Sequence, residues 1–398
     1  MRLNYKDISK QPRNIAKLGW CIPASCSPSE LEKYLNENLN HSLGEGNVTY
    51  SSRVLKDLCR TSNEGRSLDS VDLAFCITVL VLTILVTAST FWDFKCHGHQ
   101  NRETISQKLF MAFSARKNFL DLNKLESSDK ALSILYGIKT FSIFMIIIDH
   151  RFAYFIMSIV SNVDYIEGMY RNPLVSYIFH GDLFVDTFFV ISGVLVVYSL
   201  MGVYDKKIIN PGLIIFMRYI RLTPAYAFVI FYYCSLLYHS GDGPLWKSIV
   251  GPECMVHSWY LPCDFHFFVL AVGLVLLMKK QKKLGISVFF TLAIVSVLIP
   301  FGLKYIYKRP AFFRFFPTKM LNVKADKDFT LTYTKSHARA TTYFIGMFAG
   351  YLYYQLKGVE YKISRLYSTI LALISSFLLL ACMFAGSVYY DPFHTYNG

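Results

Sequence analysis

The sequence predicts an all-α fold: a polytopic membrane helical bundle of about eight transmembrane helices behind a small N-terminal extracellular or lumenal region. Three observations carry this. Of 398 residues, 53% are hydrophobic and only 17% are charged, against about 25% in an ordinary soluble domain, so polar surface is too scarce for a soluble enzyme of this length. Eight apolar runs each approach the ~20 residues that a spanning helix needs. Aromatic residues make up 16%, including 33 Phe and 28 Tyr, which excludes a disordered chain.

Residues 1–70 are polar. They hold Cys21, Cys26 and Cys59, and the glycosylation sequons at Asn40 and Asn47. Cysteines and sequons together fit an oxidising, outer compartment. Cys26 with Cys59 is one open pairing, leaving Cys21 for a partner further upstream. The first 30 residues contain no apolar core of a secretory signal, so the natural start is expected to lie upstream of Met1.

The runs follow at 72–92, 132–158, 183–203, 222–239, 259–278, 285–303, 340–356 and 367–388. The first, with the basic loop up to residue 130, forms a second region; 131–398 forms the third. With the N-terminus outside, the loops 93–131, 204–221, 279–284 and 357–366 fall inside and are rich in Lys and Arg, while 159–182 and 240–258 carry only Arg171 and Lys247. That asymmetry obeys the positive-inside rule. The 304–339 loop, with nine Lys and Arg, is the exception. The net charge of +14 is therefore read as membrane orientation and headgroup contact. No basic domain or stacking motif points to nucleic acid.

Several residues could carry chemistry. Lys139 and His150 stand eleven positions apart in the second run, which puts them on one helix face ~16 Å apart along the axis. Ionisable groups inside a membrane are functional candidates; the plainer alternative is an interfacial His and a snorkelling Lys. Asp186, near the start of the third run, and Asp264, near the start of the fifth, are expected at the depth of His150. There a carboxylate could orient the imidazole as a general base. Arg218 and Arg221 precede the fourth run and suit a phosphate group, or simple anchoring. Gly346 and Gly350 make a small-xxx-small pair for close helix packing. His97-Gly98-His99 is too short and isolated to make a metal site, and none is expected.

In order along the chain, these segments resemble a known family. They are Lys139 to His150, Phe184 to Gly193, Arg218 to Pro224, Gly243-Pro244-Leu245-Trp246, Ser258-Trp259-Tyr260-Leu261, Arg339 and the Gly346 region. Gly19-Trp20-Cys21-Ile22-Pro23-Ala24-Ser25-Cys26-Ser27 resembles the cysteine-containing region fused ahead of that domain. The pattern is similar to the nose-resistant-to-fluoxetine-like proteins within the acyltransferase-3 family. The resemblance implies acyl transfer across a membrane, from a cytosolic acyl-CoA-type donor used as co-substrate, with no bound cofactor. The acceptor would be a lipid or small-molecule hydroxyl on the outer side. It implies His150 as general base, Lys139 on the donor or a developing oxyanion, Arg218 and Arg221 on donor phosphates, and Asp186 and Asp264 orienting His150 or the acceptor. Lys139 stands where the family more often has Arg and lacks its planar fork. The outer loop between Trp246 and Trp259 is short, and the domain is expected to be incomplete at its end. Two other functions stay open: lipid or small-molecule transport without catalysis, and an inactive truncated paralogue. The expected location is the plasma membrane or endoplasmic reticulum.

Overall fold

The computed structural model describes residues 10, 18–43, 50–56, 59, 67–95, 104–124, 130–157, 162–170, 172–241, 246, 255–310, 313–320, 323–359 and 363–390. Every regular element among them is helical. The eight apolar runs correspond to eight long helices: α1 (Ser70–Lys95), α2 (Ile134–Met157), α3 (Gly181–Lys206), α4 (Pro211–Cys234), α5 (Tyr260–Lys280), α6 (Lys282–Ile306), α7 (Ser336–Leu356) and α8 (Arg365–Tyr389). Six of them, α1, α3, α4, α5, α6 and α8, are long and apolar enough to cross a membrane on length and composition alone. The other two, α2 and α7, carry the Lys, Asp, His and Arg side chains that build the polar site.

The fourth helix departs from its expected start. It opens at Pro211 rather than near residue 222, so Arg218 and Arg221 lie within the helix instead of ahead of it. The start is written in Asn210-Pro211. The Asn210 side chain accepts the Gly212 N–H at 2.8 Å, and proline suits the first helical position because its missing N–H would find no partner there. Hydropathy hid this start because two arginines interrupt the apolar pattern. Further along, Pro224 cannot donate to the Ile220 carbonyl, which weakens the ladder between residues 220 and 224.

The chain divides into two compact units. One gathers Gly19–Ala131 and Arg221–Cys254; the other gathers Leu132–Ile220 and Met255–Gly398. In the first, Phe75 of α1 packs on Phe228, Phe231 and Tyr232 of α4, and the fully buried Asp72 meets His239 Nε2 at 3.2 Å. Two short helices, Ile105–Met111 and Ala115–Leu122, are tied to the other end of α1. Ser89 donates to the Phe110 carbonyl at 2.7 Å and Ser114 donates to Asp93 at 2.9 Å. Asn47 lies outside the described residues, and Asn40 is described only as backbone of the helix Pro28–Leu43. Cys21, Cys26 and Cys59 are unbridged.

The second unit is built on α3, which packs against α7, α2 and α5. Its closest partner is α7. A Cβ on Gly346 or Gly350 would collide with the carbonyls of Val190 or Val194, and one on Gly193 would lie 2.6 Å from the Tyr343 carbonyl. Both backbones therefore approach through glycine, the close packing expected of Gly346 and Gly350, with Gly193 as the answering residue on α3. Phe189, Val197, Ala271, Val275, Tyr343 and Met347 form the core among α3, α5 and α7. Only Gln281 separates α5 from α6, and Gly285 lets α6 turn back against Met278.

A second apolar cluster caps one end of this unit. Tyr170, Phe179, Phe316, Phe329, Tyr333 and Tyr390 pack there, with Tyr170 donating to the Phe315 carbonyl at 2.7 Å and Tyr390 to the Phe179 carbonyl at 3.0 Å. Burial pushes the Tyr170 and Tyr333 hydroxyls well above their ordinary values, so both stay neutral.

Candidate active site

Two antiparallel helices set the register of the site. Ser142 of α2 hydrogen-bonds Thr187 of α3 at 2.8 Å, and two turns further on Asp149 of α2 rests against Gly181 at the start of α3. A side chain on Gly181 would displace that carboxylate. This pairing places His150 level with the N-terminus of α3. It places Lys139 near the level of Val190 and Ser192, roughly 16 Å from His150 at 1.5 Å per residue. The polar residues of the second unit fall into these two levels.

At the first level, His150 Nδ1 lies 2.8 Å from the Ile146 carbonyl. A carbonyl only accepts, so Nδ1 carries the proton and neutral imidazole presents its lone pair at Nε2. Asp149 Oδ2 stands 3.7 Å from the same Nδ1. The His257 ring packs edge-on against His150 with centroids 5.5 Å apart. Nearby, His180 Nδ1 lies 3.7 Å from Asp182 Oδ1. Asp186 accepts from Arg339 Nη1 at 3.2 and 3.1 Å on its two oxygens. Arg339 is 7% exposed; its Nε donates to the Tyr333 carbonyl at 3.1 Å and its guanidinium lies 4.3 Å over the Tyr333 ring. A charge this buried needs such a full set of partners.

At the second level, Asp264 of α5 forms an ion pair with Arg218 of α4 and accepts from Ser192 at 2.8 Å. The guanidinium also lies 4.2 Å over the Phe268 ring. Half-buried Lys139 belongs to this level by register.

The expected single layer of His150, Asp186 and Asp264 is thus two. Asp264 meets Ser192, six residues and ~9 Å further along α3 than Asp186, because α5 begins deeper than α3 does. Each acid has a cation of its own: Asp186 has Arg339 and Asp264 has Arg218. The acid next to His150 is Asp149, its neighbour in sequence. Arg221 is exposed and falls in the first unit. Sequence reasoning passed over His257, Asp149 and the partnership of Arg339. The signals were present: a histidine in the turn ahead of α5, an Asp-His pair inside an apolar run, and one arginine at the head of α7.

Among the described residues no group of three or more His, Cys, Asp or Glu could hold a metal ion. His97-Gly98-His99 lies outside them.

Residues 133–397 match the model of the acyltransferase domain, Acyl_transf_3. The chain is 24% identical over 393 residues to Nose resistant to fluoxetine protein 6 of Caenorhabditis elegans, with 85% of this chain aligned. It spans about half of that relative, 47% of its length. No solved structure matches. The matched domain takes in both polar levels and all seven helices from α2 to α8, and by it the chain belongs to the acyltransferase-3 family of multi-pass membrane proteins.

Proposed function

We propose that this protein is an O-acyltransferase that moves an acyl group from a cytosolic acyl-CoA-type donor to a lipid or small-molecule hydroxyl at the outer side of the membrane. The observation that carries this is the hydrogen bond from His150 Nδ1 to the Ile146 carbonyl, which leaves Nε2 as a proton acceptor.

In this reading Nε2 takes the proton of the acceptor hydroxyl as its oxygen attacks the thioester carbonyl carbon. The tetrahedral intermediate collapses, the carbon–sulfur bond breaks, and the thiolate leaves with the proton from the imidazolium. Asp149 stabilises the transient imidazolium from 3.7 Å, and the edge-on ring of His257 limits its rotation. The ~16 Å between the levels favours Lys139 on the body of the donor over the oxyanion at His150. Arg218 joins it on the donor side when the donor's phosphates compete for the guanidinium that Asp264 holds. Asp186, fixed by Arg339, shapes the acceptor end. The N-terminal region faces the lumen or the exterior, with Asn40 and Asn47 as glycosylation acceptors, in the plasma membrane or the endoplasmic reticulum.

The test is acyl-donor turnover in membranes, with wild type and His150→Ala at matched expression. The expected loss is about 10²- to 10⁴-fold, the range of a positioned general base. A donor consumed equally by both proteins overturns the role of His150. No turnover by a well-inserted wild type with any hydroxyl acceptor overturns the enzyme reading in favour of transport or an inactive chain.

A further inference from the structure

The structure assigns a second, separate surface in the first unit: we infer that the helices Ile105–Met111 and Ala115–Leu122 lie flat on the bilayer and bind anionic lipid headgroups. Three observations support this independently of the acyl-transfer reading.

The first is exposed apolar surface. Ile105 is 80% exposed, Leu109 65%, Phe119 66% and Leu122 85%. Ile105 and Leu109 share one helix face at i,i+4, and Phe119 and Leu122 share another at i,i+3. Single exposed apolar residues are ordinary, but an apolar stripe on each of two consecutive helices of seven and eight residues needs a cover.

The second is position. The pair is fastened to the last turns of α1, a membrane span. Ser89 and Thr90 hold the Phe110 carbonyl and the Ala115 N–H, at 2.7 and 3.0 Å, while Asp93 accepts from Ser114 and faces Arg116 at 3.8 Å. Both helices are therefore held at the boundary where α1 leaves the hydrocarbon, and the acyl layer around α1 is the cover within reach.

The third is charge. Between residues 104 and 124 the cations are Lys108, Arg116, Lys117 and Lys124, and the one acid is Asp121. Lys117 and Asp121 fall opposite Phe119 and Leu122 at 100° per residue. Lys108, about 60° around its helix from Ile105, and Arg116, about 60° from Phe119, stand beside the apolar stripes and complement phosphatidylserine-type headgroups above an acyl layer.

The test uses the full chain in nanodiscs with no other protein present. Single Leu122→Cys and Asp121→Cys variants are labelled with a water-soluble maleimide, and each site is read by peptide mass spectrometry. At Leu122→Cys, labelling should be at least about ten-fold slower than at Asp121→Cys, because the reagent does not enter the acyl layer. Protection should deepen when phosphatidylserine is added to phosphatidylcholine, and Lys108→Glu should weaken that dependence while Lys117→Glu, on the face turned from the bilayer, should leave it. Equal labelling at both sites overturns the proposal. Protection that ignores phosphatidylserine overturns the anionic preference. Neither result bears on acyl-donor turnover.

Discussion

At the residue scale, the Asp186–Arg339 pair shows how a membrane bundle keeps charge in its interior. Arg339 is bonded to both Asp186 oxygens and to the Tyr333 carbonyl, with the Tyr333 ring against its face. Removing one partner leaves the other charge buried and alone, which costs about 3–5 kcal/mol, whereas replacing both with apolar groups of similar volume costs far less. Arg339→Met should therefore unfold in detergent well below wild type, and Asp186→Leu with Arg339→Met should recover much of the loss. Thermal unfolding of the purified proteins reads this. A double variant as unstable as the single one would show that Arg339 acts through Tyr333 instead. This pair also marks the limit of what sequence conveys. Asp186 was visible as an acid at the start of an apolar run, and Arg339 as a cation at the head of another. Their 153-residue separation left the partnership invisible until α3 and α7 were packed together. His150 was legible because an imidazole within an apolar run stands out alone. Its tautomer was not, since that depends on the Ile146 carbonyl one turn away.

At the scale of elements, glycine placement decides which helices touch. Gly193, Gly346 and Gly350 face backbone carbonyls across the α3–α7 contact, so no side chain fits between them. The GxxxG spacing of Gly346 and Gly350 made this contact readable in sequence, and the structure adds Gly193 as its counterpart. Gly346→Leu would force the helices apart at the Val190 carbonyl; overpacking costs typically 1–3 kcal/mol, and this site, where backbone must move, belongs at or above the top of that range. The expected outcome is a sharp drop in folded protein, read as the monodisperse fraction after solubilisation. Gly273→Leu is the control, because a Cβ there meets nothing within 4 Å. Equal loss from both substitutions would mean that leucine at any helical glycine is harmful, not that this contact is close. Helix existence was legible in the apolar runs, but the start of α4 was not. Its signal was local turn chemistry at Asn210-Pro211, and the hydropathy pattern outweighed it.

At the scale of the whole molecule, the alternating directions of the helices in the second unit bring the end of α2, the starts of α3 and α7, and the segment 309–335 to one polar level, while α5 begins deeper. Two cations of that segment pair with acids of the same segment. Arg309 meets Asp328 at 3.1 Å, and Lys319 meets Asp326 at 3.3 Å and Asp328 at 2.9 Å. The positive-inside rule counts Lys and Arg whatever acids stand beside them, so these pairs do not cancel the segment's charge, and Arg116, Lys124 and Lys279 in the opposite loops have acidic partners as well. The nine Lys and Arg of 304–339 therefore stay the exception to the loop asymmetry. The prediction is that 309–335 and the N-terminal region lie on one side of the membrane while the 93–131 and 204–210 loops lie on the other. Epitope tags after Leu122 and within 207–210 should be protected in sealed vesicles from intact cells and exposed on permeabilisation, and a tag after Lys324 should behave in the opposite way. If the tag after Lys324 and the tag after Leu122 were protected together, the loop assignment would fail, and with it the outer placement of His150.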